Sequence, residues 1–159
     1  MRTLVGFVAG LLVGAGVWQH TSAQEDKTLS LMHVAFSVDN LEEVAATYAK
    51  VFGLQQVHQL RDKEGRQTMA YLQAGPNTFV EFLRAGPDRP AGYQFFGLHV
   101  SDADAAAQRM RAQGLQVTGP VSGSTDSRVA FVELPGGRVE LVSYGARSPR
   151  HQWFERWKP

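Results

Sequence analysis

Glu81 stands in the run TFVEFL, residues 78–83, where every neighbour except Thr78 is apolar. On a strand the side chains alternate between two faces, so this carboxylate is enclosed by apolar groups whichever way it points. An ionised carboxylate buried without a partner costs several kcal/mol or takes up a proton. Glu140 has the same setting in GRVELVSY, residues 137–144, and His33 adds an imidazole in the strand-like run LMHVAFSV, residues 31–38. Two carboxylates and one imidazole, each on an otherwise apolar strand, are a donor set for a divalent cation. Two of them also have an ordinary reading alone: Glu140 could pair with Arg138 on a solvated face, and His33 could be a hydrogen-bonded core histidine. The chain has no cysteine, which removes thiolate ligands, disulfides and a cysteine nucleophile and leaves nitrogen and oxygen as the only ligand chemistry.

The elements that must position these groups repeat. A strand-like run at 32–38 leads into Asn40-Leu41-Glu42-Glu43, a capping box. Leu41, Val44, Ala45, Tyr48 and Phe52 follow at helical spacing, and Gly53 ends the helix. A second strand at 95–100 leads to Asp102 as a cap, a helix face of Ala103, Ala106, Ala107 and Met110, and a stop at Gly114. Each helix runs into the same three residues, Gly53-Leu54-Gln55 and Gly114-Leu115-Gln116. Three strands are expected after each: 55–61, 67–74 and 78–84, then 115–119, 128–134 and 138–144. Strand, helix, three strands, twice over, is an α+β fold of two tandem βαβββ modules, 31–85 and 93–145, whose sheets curve around a shared cleft. The connector AGPDRPAGYQ, residues 85–94, reads as a linker from its Gly and Pro content. The runs 61–66 and 122–127 read as hairpin loops at the mouth of the cleft.

Outside the modules, Arg2 precedes an apolar run from Leu4 to Trp18, and Thr21-Ser22-Ala23 offers small residues for signal cleavage. Residues 1–23 are therefore expected to be a signal peptide, the alternative being an uncleaved anchor in which Gly10 and Gly14 pack against another helix. Residues 24–30 are then a linker, and the mature protein is periplasmic or extracellular. Removing residues 1–23 takes away one charge, Arg2, so 16 basic residues become 15 against 15 acidic. A neutral chain argues against a nucleic-acid footprint. The tail, 146–159, carries Trp153, Phe154 and Trp157 at helical spacing and is expected to fold back as a helix over the sheet or a partner subunit.

The segments HVAFSVDNLEEVAATYAKVFGL, TFVEFL, HVSDADAAAQRMRAQGLQV and LPGGRVELV resemble the vicinal oxygen chelate superfamily, the group of glyoxalase I, extradiol dioxygenases, methylmalonyl-CoA epimerase and bleomycin resistance proteins. The resemblance covers roughly residues 31–145 and implies the glyoxalase-like fold. In the metal-dependent branches each module gives one ligand from its first strand and one from its last. Carried over, the first, second and fourth ligands fall on His33, Glu81 and Glu140. The third falls on Phe95, which cannot ligate. His99, four residues on, is about 13 Å of strand rise away and reaches the ion only if a bulge intervenes. It is otherwise a pocket acid/base or a satisfied strand histidine.

The resemblance implies a lyase or isomerase/epimerase in which a divalent ion (Zn, Ni, Mn, Fe or Co) activates a small substrate, Glu140 and Glu81 move a proton, and His99 assists. An extradiol dioxygenase fits less well, because Phe95 removes a histidine. Where glyoxalase I grips glutathione with an arginine and an asparagine, this chain has Ser37 and Ala85. The rival from another class is a binding protein of the bleomycin-resistance type with an aromatic pocket drawn from Phe79, Tyr93, Phe95, Phe96 and Tyr144. A homodimer is expected from the same resemblance.

Overall fold

The computed structural model describes residues 28–157, so the expected signal peptide or anchor and the start of the linker lie outside the described residues. Strand β1 (Thr28–Val38) leads to helix α1 (Leu41–Phe52) and strands β2 (Gln55–Arg61), β3 (Gln67–Gly75) and β4 (Thr78–Arg84). The second unit repeats this as β5 (Gly92–Val100), α2 (Ala103–Ala112), β6 (Val117–Gly123), β7 (Ser127–Leu134) and β8 (Gly137–Tyr144), followed by α3 (Arg150–Arg156). Among the described residues no helix is long and apolar enough to cross a membrane.

The helix ends follow from local chemistry. The Asn40 side chain accepts from the Glu43 amide at 3.3 Å and donates to the Glu43 carboxylate at 2.6 Å, a reciprocal cap. Asp102 accepts from the amides of Asp104 and Ala105 at 2.9 and 3.0 Å. Gly53 and Gly114, at φ 68° and 82°, adopt the left-handed backbone that lets each chain leave its helix.

All eight strands form one mixed sheet in the order β2-β3-β4-β1-β5-β8-β7-β6, with β1–β4 and β5–β8 parallel and β1–β5 antiparallel at the seam between modules. Alternation sorts the strand side chains. On one face α1 covers Ala70, Leu72 and Phe82, and α2 covers Ala130, Val132, Val139 and Leu141. The other face is the inside of the cleft. The sheet curls far enough for its edges to approach: His58 on β2 comes within 3.4 Å of Ser124, in the turn between β6 and β7.

Three details depart from the sequence reading, each for a local reason. β1 reaches back to Thr28, so residues 28–30 of the expected linker are strand. β5 begins at Gly92, inside the Gly- and Pro-rich connector. β6 runs from Val117 through Gly119-Pro120 to Gly123, where the strand is expected at 115–119 and a hairpin loop from 122. β6 is a sheet edge, where a proline's missing N–H faces no partner. The tail folds back over its own sheet: Trp153 packs with Met32, Phe79 and Val142, and its carbonyl accepts from the Gln73 side chain at 3.1 Å, while Phe154 stays exposed. α3 thus closes one end of the cleft.

Candidate metal centre

Strand register assembles the centre. Across the seam His33 on β1 faces Gly97 on β5, and Gly97 faces Glu140 on β8. One step along the same face, Glu81 on β4 faces Ala35 on β1, and Ala35 faces Phe95 on β5. The two rows are related by the repeat: His33 corresponds to Phe95, Glu81 to Glu140, and Gly97 to Ala35. Phe95 therefore occupies the counterpart of the histidine position, and each module places a small residue under the other's ring. A bulge in β1 at Met32, between the pairs Leu31–Leu98 and His33–Gly97, lets both Met32 and His33 be buried.

His33, Glu81 and Glu140 are 1%, 7% and 8% exposed. The His33 Nε2 lies 2.9 Å from Oε2 of Glu140 and 3.3 Å from Oε2 of Glu81, and one ligand atom from each residue fits within 4.8 Å of the others. These approaches have the length of hydrogen bonds but not their direction. Both His33 nitrogens and both Oε2 atoms are buried without a hydrogen-bond partner. Bonds of about 2.0–2.2 Å from one ion to N and O donors place neighbouring ligand atoms roughly 3 Å apart. The spacing and the orphaned atoms fit a divalent cation, which would give the buried groups the partner they lack.

Without such an ion the centre is electrostatically uneasy. Burial pushes the Glu81 carboxyl from 4.5 up to about 7, and the Glu140 charge adds to this while the charges of His33 and Arg89 and the Tyr71 hydroxyl oppose it. For His33, burial disfavours the charged ring, but the approach of Glu140 and the charge of Glu81 outweigh it and its pKa is raised.

Packing fixes the imidazole. Its ring stands edge-on between Tyr71 and Phe95, with centroids at 5.6 and 5.7 Å. It lies flat over Gly97, where a Cβ would come within 2.5 Å of Nδ1 and 2.6 Å of Nε2. Neither Tyr71 nor Gly97 stands out in the sequence. The only signal for Tyr71 is an aromatic with a polar tip alternating with Met69 and Gln73 on a buried strand. Burial, followed by the charges of Glu81 and Glu140, pushes the Tyr71 hydroxyl well above its ordinary range, so it remains a proton donor beside Glu81.

Two cavities meet at the carboxylates. One, about 400 Å³, has largely apolar walls that include Leu60, Val121 and Val129, together with Tyr71, Tyr144 and the turn residues Ser124 and Thr125. The other, about 570 Å³, is lined by Arg89, Gln94, Phe95, Glu133 and Arg138. Glu81, Glu140, Leu83, Arg89 and Phe131 line both. Arg138 does not pair with Glu140: it donates to Glu133 at 2.8 Å and stacks on Phe131.

His99 is not brought to the centre. It lies on β5 opposite Val142, with its Nδ1 3.3 Å from the Arg150 guanidinium and its ring against Tyr144, and it lines neither cavity. Burial and the Arg150 charge lower its pKa. Of the other aromatics, Phe95 and Tyr144 reach the cleft, Phe96 packs on the α2 side, Phe79 lies under Trp153, and Tyr93 is largely exposed.

A single-chain sheet of paired βαβββ modules with a carboxylate–histidine centre on its inner face defines the class of protein. The chain belongs to the glyoxalase/bleomycin resistance protein/dioxygenase superfamily, whose model matches residues 32–131. It is 28% identical over 157 residues to a 2-epi-5-epi-valiolone epimerase of Actinomyces sp, covering 80% of this chain and 86% of that protein. It is 30% identical over 125 residues to the lactoylglutathione lyase of Escherichia coli O157:H7, covering 72% and 92%. In fold it is similar to methylmalonyl-CoA epimerase from Mycobacterium tuberculosis, with a TM-score of 0.64, 24% identity, and coverage of 76% and 91%.

Two predictions follow from this packing and burial. Gly97→Ala should lower stability by about 1–3 kcal/mol in denaturant melts through overpacking and, if His33 helps hold a divalent ion, weaken its binding about tenfold or more by displacing the imidazole. Adding His33→Ala should recover the stability but not the ion; an unaltered melt for Gly97→Ala would contradict the contact. In chelator, both raised groups hold their protons more firmly in the folded state. Their stabilisation is full below the unfolded pKa and is lost as pH rises through the folded one. Urea melts of the ion-free protein should therefore show stability falling between pH 4.5 and about 7, with Glu81→Gln flattening the fall. A rise across that window would contradict the burial of Glu81.

Proposed function

We propose that the protein is a divalent-metal-dependent lyase or isomerase/epimerase that moves a proton at the carbon next to a carbonyl of a small substrate. The observation that carries this reading is the convergence of three buried, hydrogen-bond-orphaned donors, His33, Glu81 and Glu140, on the cleft floor. The similarity to an epimerase and a lactoylglutathione lyase supports the reaction class.

An ion held by His33, Glu81 and Glu140 would supply Lewis-acid polarisation of the substrate carbonyl. The chain's own residues do the rest. One carboxylate takes the proton from carbon, the C–H electron pair becomes a carbon–carbon double bond, and the carbonyl π pair moves onto its oxygen. Returning a proton to the same carbon from the other face inverts it, and returning it to a neighbouring atom isomerises the molecule. Glu81 and Glu140 come from opposite modules and line both cavities, which suits one on each side of a substrate. The Tyr71 hydroxyl, still protonated, donates towards Glu81 and orients it. Phe95 supplies no donor where the repeat would place a second histidine, so the chain would hold an ion through three side chains only. His99 belongs to this reading as a support for the α3 closure, acting through Arg150 and Tyr144. Ser37, where glyoxalase I holds glutathione, is occupied with the connector: its hydroxyl donates to the Pro90 carbonyl. This supports a substrate other than a glutathione adduct.

Export through residues 1–23 and homodimerisation are further parts of the reading, to be checked by N-terminal sequencing of the extracytoplasmic protein and by its mass in solution. The second reading, a binder of apolar ligands in the manner of bleomycin resistance proteins, is favoured by one observation, the apolar Phe95 at the second histidine position.

Proton exchange separates the two. Protein loaded with Zn, Ni, Mn, Fe or Co and incubated in D2O with 2-oxoaldehydes, 2-hydroxyketones and acyl thioesters should incorporate deuterium next to the carbonyl of at least one class, read by NMR. Glu140→Gln should slow this by about 100-fold or more. Absence of exchange in every loaded form, with apolar ligands still bound, would overturn the enzymatic reading.

A further inference from the structure

Arg89 lines both cavities, yet its guanidinium makes no hydrogen bond or ion pair among the described residues. Asp88 precedes it without pairing to it. The other cation of the cleft, Arg138, is already engaged by Glu133 at 2.8 Å and stacked on Phe131 at 4.6 Å. Glu81 lines the same two cavities, and the Arg89 charge acts on its carboxyl.

The loop that carries Arg89 is held in place, although its composition reads as a linker. Gly86 and Arg89 exchange two backbone hydrogen bonds, at 2.9 and 3.0 Å, and the Ala85 amide donates to the Val38 carbonyl at 2.9 Å. The Pro90 carbonyl accepts from Gln94 at 2.9 Å and from the hydroxyl of Ser37, a buried residue on β1 beside the centre. Proline at 87 and 90 removes further freedom. An arginine presented by a turn clamped on both sides loses little entropy on binding, and its planar fork suits a carboxylate or phosphate. A divalent ion would be balanced in charge by Glu81 and Glu140, so the centre offers an anionic group away from it no net attraction, and an unengaged cation near the floor would supply it. Arg89 is such a cation.

Resting on the functional reading above, we propose that Arg89 is the substrate-anion residue of the cleft, and that the substrate carries a carboxylate or phosphate bound by Arg89 while its body occupies the more apolar cavity. The substrate class is thus an acidic carbonyl compound rather than a neutral sugar-like or purely apolar one.

The test uses glutarate, 4-phosphonobutyrate and monomethyl glutarate, titrated calorimetrically into ion-loaded protein whose metal content is measured on the same sample. Glutarate or 4-phosphonobutyrate should bind about tenfold or more tightly than the monoester, consistent with one charge-assisted contact. That advantage should disappear in Arg89→Ala and persist in part in Arg89→Lys. Because 4-phosphonobutyrate also carries a carboxylate, an Arg89-dependent gain larger than that of glutarate identifies phosphate as the group, and equal gains identify carboxylate. Arg89 is exposed and its side chain bonds to nothing resident, so the variant folds and loads normally. An advantage that survives Arg89→Ala in loaded protein, or no advantage in the wild type, overturns this inference alone. A protein that takes up no ion overturns the functional reading and this inference with it.

Discussion

The row His33–Gly97–Glu140, running across the seam where β1 meets β5 and β8, is the constraint on which the rest of the structure depends. It requires an imidazole and a carboxylate from different modules to share one buried point, with a second carboxylate from β4 beside them. Burying such groups without hydrogen bonds opposes folding by several kcal/mol. The apolar burial that opposes this cost comes from the two helix-covered cores, built from Leu41, Leu72 and Phe82 on one side and Val132, Val139 and Leu141 on the other. The helices press the outer face of the sheet, the Met32 bulge re-aims the strand, and Gly97 leaves space for the ring. Each of these serves the position of three side chains.

The repeat makes the site nearly symmetric, and the departures from symmetry carry its chemistry. Where the first module offers His33 over Gly97, the second offers Phe95 over Ala35. The aromatic ring keeps the shape of the position but withdraws a donor, and it stacks edge-on against the remaining imidazole. The outcome is one nitrogen and two carboxylates, a hard donor set that does not by itself select one ion among the first-row metals and zinc. The two cavities are unlike as well, one walled by aliphatic residues and the other by charged ones. The two sides of the centre therefore offer different surroundings.

Much of this was legible in the sequence, for reasons that can be named. Glu81, Glu140 and His33 stand out because an ionisable residue in an apolar strand is a local anomaly, visible without knowing the fold. Asn40, Asp102 and the paired Gly-Leu-Gln segments mark helix ends through short-range chemistry, and their recurrence revealed the two modules. Gly97, Tyr71 and Arg89 were not legible. The fit of Gly97 under His33 exists only once strands 64 positions apart are in register, and Tyr71 acquires its place from Glu81 on the next strand. Arg89 looks like linker until Ser37 and Gln94 are seen to clamp the turn. His99 shows the converse: a histidine on the expected strand faces the cleft side but meets Arg150 and Tyr144 at its closed end.

The most direct measurement is the divalent-ion stoichiometry of the chain purified without chelator, determined by elemental analysis for wild type and for Glu81→Gln. The account predicts about one ion per chain in the wild type, taken up in competition with a chelator, and little or none in Glu81→Gln while its fold is retained. A wild type that holds no ion under any loading condition would contradict it, as would a variant that binds as tightly as the wild type.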